Sequence, residues 1–203
     1  MRLLSRGVLA ALALCAGNVH AHAIDPRIGD FYTGLLHPLT ALEHLLPILA
    51  LGLLTAQHGL RRAQSVLLVF PLALAAGALL ALAGPPLPFM ATLNLGWAVL
   101  IGVLAAMAVR LPLAALGTLA AGCALTHGYV LGGEMPAQGN ATLFVLGLAC
   151  GAFIGLAYVV AGGDFALRQK PRWLPVAIRA GSSWIAAIGI LVLGLSLRLA
   201  PAA

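Results

Sequence analysis

Six apolar runs, each long enough to cross the hydrocarbon core of a bilayer, take up most of this chain and leave it few ways to fold. They fall at about 33–57, 64–84, 88–109, 112–132, 141–162 and 178–199. A helix of about 20 mainly apolar residues spans a membrane, because it satisfies its own backbone N–H and C=O groups where no water can. Composition agrees. The 203 residues are 62% hydrophobic and 8% charged, with a mean hydropathy of +1.06, whereas a soluble domain carries about 25% charged residues. The expectation is an all-α membrane protein, with a cleavable signal peptide followed by a six-helix transmembrane bundle. Residues 1–21 would be the signal and residues 22–203 the six-span domain.

The connections carry the topology. Between the runs stand HGLRRAQ, GPPLP, Arg110 with Pro112, GGEMPAQGN and GGDFALRQKPRWLP, all rich in chain-breaking residues. If the first mature helix begins outside, the inner loops hold Arg61 and Arg62, then Arg110, then Arg168, Lys170, Arg172 and Arg179. The outer loops GPPLP and GGEMPAQGN hold no basic residue. That asymmetry is the positive-inside pattern of a bacterial inner-membrane protein with both mature termini in the periplasm. Arg198, near the outer end, departs from it, and a side chain of that length can snorkel to the interface. The net charge of +6 therefore reflects membrane orientation. It does not indicate a nucleic-acid partner, since the basic residues are few and scattered. A single lysine and no GxxxxGK[ST] loop exclude nucleotide hydrolysis by this chain.

The N-terminal MRLLSRGVLAALALCAGNVHA has two arginines, a short apolar run and small residues, the layout of a secretory signal. Cleavage after Ala21 leaves His22 as the first residue, where its α-amino group and imidazole could chelate a metal together. Cleavage after Ala23 fits the small-x-small pattern equally, and His20 and His22 are then simply tolerated near the site. A lipoprotein reading of Cys15 is disfavoured by the bulky Leu14 before it.

Within the first run, TGLLHPLTALEHLLPILALGLLTAQH holds His37, Glu43 and His44. An ionisable side chain at mid-bilayer costs about 2.5–3.5 kcal/mol on insertion scales, so it normally has a partner and a task. His37 and His44 are seven residues apart and share a face of a continuous helix, with Thr40 between them. Pro47 removes a backbone donor and is expected to kink the helix beside them. A second polar cluster closes the fourth run, where His127 lies one turn above Cys123 and Glu134 begins the outer loop. At 1.5 Å per residue His44 and His127 differ in depth by about 7 Å, so both clusters can share one site open to the outside. Two imidazoles, a third from another span and two carboxylates suggest a divalent-cation site.

Elsewhere, Cys123 and Cys150 could add soft ligands but fit better as small core residues. His58 reads as interfacial. Gly147, Gly151 and Gly155 form a smooth strip on which a helix can pack. Thr92, Asn94, Ser182 and Ser183 are candidate interhelical hydrogen-bonders.

The two clusters resemble the motifs of the HupE/UreJ family of nickel and cobalt permeases. HPLTALEH, from His37 to His44, is similar to that family's HPxxGxDH, and HGYVLGGE, from His127 to Glu134, to its HGxxHGxE. Ala41 stands where the family has Gly, Glu43 where it has Asp, and Leu131 where it has the second His. The resemblance implies a non-enzymatic permease that imports Ni²⁺ or Co²⁺ from periplasm to cytoplasm. It implies no permanently bound cofactor and a link to urease or hydrogenase maturation. His37, Glu43, His44, His127, Glu134 and His22 are the expected metal-handling residues. The competing class is a non-transporting accessory subunit for metalloenzyme maturation. An intramembrane protease or zinc hydrolase lacks its GxSG or HExxH motif here.

Overall fold

The computed structural model describes residues 29–169 and 172–199, the last three by their backbone alone. Those residues form seven helices and no strand: α1 (Asp30–Thr40), α2 (Leu42–His58), α3 (Leu60–Ala83), α4 (Met90–Ala106), α5 (Leu113–Gly133), α6 (Ala141–Arg168) and α7 (Leu174–Leu199). Of these α3, α5, α6 and α7 are long and apolar enough to cross a membrane, and α1 with α2 passes the same test as one broken span. The fourth helix is apolar but only 17 residues long. The signal region and His22 lie outside the described residues.

The first span departs from the sequence expectation. Its axis turns by 71° between α1 and α2. The turn is not at Pro47, which lies inside α2, but six residues earlier at Ala41, in extended backbone (φ −104, ψ 134). Local hydrogen bonding explains the position. The Thr40 hydroxyl donates to the His37 carbonyl (3.2 Å), satisfying one of the acceptors that the end of α1 leaves open. The Ala41 carbonyl accepts the N–H groups of His44 and Leu45 (3.1 and 3.0 Å) and so starts α2.

The second helix runs through the centre of the bundle, touching α3, α4, α5, α6 and α7, with Ile48, Ala50, Leu51 and Leu54 fully buried. Around it the helices pair closely as α3 with α5, α1 with α6, and α4 with α7. The first two pairs are held by glycines. A Cβ at Gly77, Gly128 or Gly132 would strike the carbonyl of Leu125, Leu74 or Ala78 on the facing helix. A Cβ at Gly147 or Gly151 would likewise strike Phe31 or Leu35. The expected strip on α6 thus receives α1, and Gly155 continues it against the Leu39 side chain. Without a hydrophobic driving force between helices in lipid, such close backbone approach and its dispersion contacts are what hold spans together. Leu68, Leu72, Tyr158, Trp184 and Leu191 point outward from the bundle.

Basic side chains gather at one end and cap helices there. Arg110 donates to the Gln57 carbonyl at the end of α2, and Arg179 to Ala106 at the end of α4 (2.7 Å). Arg62 donates to Leu111 (2.9 Å). A guanidinium suits this position, because the carbonyl end of a helix carries partial negative charge. His58 works the same joint. Its Nδ1–H donates to the Leu54 carbonyl (2.8 Å) and its Nε2 accepts the Leu111 N–H (2.9 Å). Both ring nitrogens are engaged, so His58 clasps the end of α2 to the segment before α5.

Candidate metal centre

At the other end, three helices deliver a histidine–carboxylate cluster. His37 comes from the last turn of α1, His44 from the first turn of α2, and Glu134 from just past the end of α5. His37 Nε2–H donates to Glu134 Oε2 at 2.7 Å and His44 Nε2–H to the same oxygen at 3.2 Å. One donor atom from each of the three residues lies within 4.8 Å of the others. Both imidazoles are buried, and the two rings stack with centroids 5.5 Å apart.

The break at Ala41 accounts for that proximity. Residues seven apart on a straight helix are separated by about 10.5 Å along its axis. Turning the chain between the two histidines folds one ring over the other. The same break leaves Thr40 occupied with the His37 carbonyl, so its hydroxyl is used in the turn.

Charge decides the state of the carboxylate. Burial raises the Glu134 carboxyl, but hydrogen bonds from His37 and His44 and their nearby positive charge outweigh it, and the group is held down at about 2. It is therefore an anion at any working pH and a standing attraction for a cation. The distances suit one. With metal–nitrogen bonds of about 2.1 Å, neighbouring ligand atoms stand roughly 3.0–3.4 Å apart; the 3.2 Å spacing falls in that range, and the 2.7 Å one needs only a small widening.

The other expected residues are placed differently. His127 is fully buried beside the cluster, its ring centroid 5.4 Å from that of His44, with Nδ1 accepting a hydrogen bond from the Asn94 amide at 2.7 Å. Glu43 stands aside: its side chain is 54% exposed and approaches His44 Nε2 only to 3.9 Å. As an acid in the first turn of α2 it suits the positive end of that helix. Leu131, one turn beyond His127, is buried in the apolar core. Cys123 is likewise a core residue, while Cys150 is exposed. Asp30 accepts the Asn140 N–H at 2.7 Å and ties the start of α1 to the start of α6.

Asn94 was legible in the sequence only as a polar residue in an apolar run. Of the four hydrogen-bonders expected between helices, Ser182 and Ser183 bond within α7 and Thr92 is exposed. Asn94 reaches a histidine on another helix. A cavity of about 430 Å³, lined by Gly84, Pro86, Met90 and Tyr129, reaches Glu134. A smaller one of about 80 Å³ lies between Glu43, His44, Asn94 and Glu134.

The fold and the cluster together define a multi-pass membrane protein with an imidazole–carboxylate group able to hold a metal ion. Residues 10–193 match the family model described as HupE / UreJ protein. The chain is also 32% identical over 186 residues to "Protein HupE" of Rhizobium leguminosarum bv. viciae, covering 92% of this chain and 95% of that protein. This chain belongs to the HupE/UreJ family. No solved structure matches it.

Proposed function

We propose that this protein is a secondary permease that carries Ni²⁺ or Co²⁺ across the bacterial inner membrane from periplasm to cytoplasm. The observation that carries the reading is the meeting of His37, His44 and Glu134 from three helices beneath one end of the bundle. Imidazole suits both ions, and an ionised carboxylate offsets charge where the dielectric is low. Three mixed ligands hold an ion less firmly than a closed cage, as a carrier that must release its cargo requires.

In this reading α1 and α2 form one broken span and α4, about 26 Å long at 1.5 Å per residue, crosses as the third. That gives six spans, with the arginine-rich end in the cytoplasm and both termini in the periplasm. The ion reaches Glu134 through the outer cavity and takes the place of the hydrogen bonds from His37 and His44, each ring that binds it through Nε2 moving its proton to Nδ1 or releasing it to water. It then passes toward His127. Glu43 adds negative charge at the rim, and His22, freed by signal cleavage after Ala21, contributes to capture. Delivery of the ion to urease or hydrogenase maturation follows from the family's character.

The test is uptake of ⁶³Ni²⁺ or ⁵⁷Co²⁺ by proteoliposomes containing the purified chain alone. Wild type accumulates the ion and His44→Ala does not. Equal accumulation by the two proteins removes the proposed site, and none by either leaves the accessory-subunit reading.

A further inference from the structure

Asn94 and His127 form a fully enclosed pair: the amide is 4% exposed and the imidazole not at all. The Asn94 Nδ2–H donates to His127 Nδ1 at 2.7 Å. An amide nitrogen only donates, so this bond requires a lone pair on Nδ1 and leaves the ring proton on Nε2. Among the described residues nothing partners His127 Nε2, Asn94 Oδ1 or His44 Nδ1. Buried polar atoms are nearly always paired, and three orphans around adjoining rings need a reason. His44 and Asn94 line the small cavity together with Glu134, and the His127 ring stands 5.4 Å from that of His44 behind them.

We infer that Asn94 is a positioning residue for His127: its amide selects which ring nitrogen carries the proton, and thereby whether Nε2 can take the ion from His44 and Glu134. This rests on the permease reading. With the amide as it stands, Nε2 bears hydrogen and cannot bind a cation. Turning the amide by 180° about its last side-chain bond presents Oδ1 to the ring. Oδ1 accepts from Nδ1–H, and the lone pair of Nε2 is then free. Only a side chain with both a donor and an acceptor at the same reach serves both states. The arrangement follows a general rule of metal sites, in which the partner of the distal ring nitrogen fixes the tautomer of a histidine ligand. It adds a second, inner station to the cluster, reached by the ion after Glu134.

The experiment measures Co²⁺ binding by the purified full-length protein in detergent, from the visible ligand-field absorption and by competition with a chromogenic chelator. Asn94→Leu weakens binding by about 10- to 100-fold, the range for loss of an outer partner, and alters the absorption band. The same substitution added to His127→Ala changes neither, because its effect runs through that ring. Asn94→Asp accepts only from Nδ1–H and keeps Nε2 open. It binds Co²⁺ at least as tightly as wild type yet transports more slowly, a combination that a misfolded protein cannot give. Equal losses from Asn94→Leu with and without His127, or Asn94→Leu binding like wild type, overturn the inference. If His44→Ala abolishes Co²⁺ binding in the same assay, the permease reading survives that failure. If wild type binds no Co²⁺ at all, both fall.

Discussion

Replacing Glu134 with glutamine is the sharpest probe of the cluster, because it keeps the shape and removes the charge. The carboxylate accepts from His37 at 2.7 Å and from His44 at 3.2 Å, and its side chain is 27% exposed. Removing one member of a buried charged arrangement costs about 2–5 kcal/mol; partial exposure places this one at the lower end, about 2–3 kcal/mol. At about 1.4 kcal/mol per tenfold, the affinity for Co²⁺ falls about 30- to 140-fold. Glu43→Gln is the comparison. That carboxylate is 54% exposed and 3.9 Å from the nearest imidazole nitrogen, so solvent screening limits its effect to less than about 1 kcal/mol, about fivefold. The assay is calorimetric titration of each variant with Co²⁺, with uptake KM measured in parallel. Glu43→Gln matching or exceeding Glu134→Gln would falsify the ranking and restore Glu43 to the centre of the site.

Two further outcomes follow from the same geometry. Gly128→Val forces a side chain against the Leu74 backbone, whereas Gly96→Val meets nothing within 4 Å; the first destabilises by at least about 1–3 kcal/mol and lowers the thermal midpoint in detergent, the second leaves it unchanged, and equal midpoints contradict the packing. Uptake falls as external pH drops from 7.5 to 5.5, because protons compete with the ion for imidazole nitrogens while Glu134, held at about 2, stays ionised throughout. Equal uptake at pH 7.5 and 5.5 refutes that competition.

Much of this was legible in the residues because membranes punish ambiguity. The cost of burying His37, His44 and His127 in apolar runs marks them without any structure, and Gly147 and Gly151 announce a close-packed neighbour. The break at Ala41 was not legible. Seven-residue spacing reads as one face of one helix, and Pro47 is the more conspicuous disturbance. The turn depends instead on a hydroxyl reaching back three residues and on an extended alanine, and neither leaves a distinctive trace. Glu43 is hard to place from sequence for a related reason. Its place beside His44 in sequence says nothing of direction, and residue 43 points outward when the helix starts at residue 42. Asn94 needed the partner across the bundle before its role could be read.

The glycine-lined seams have a consequence for movement. Backbone pressed against backbone leaves no slack, so α1 with α6, and α3 with α5, are each locked together as a stiff slab. His37 rides on one slab and Glu134 on the other, with His44 on the central rod between them. If the chain carries a cation as proposed, an ion held by all three would tie the two slabs together, and they could part only as it leaves one of them.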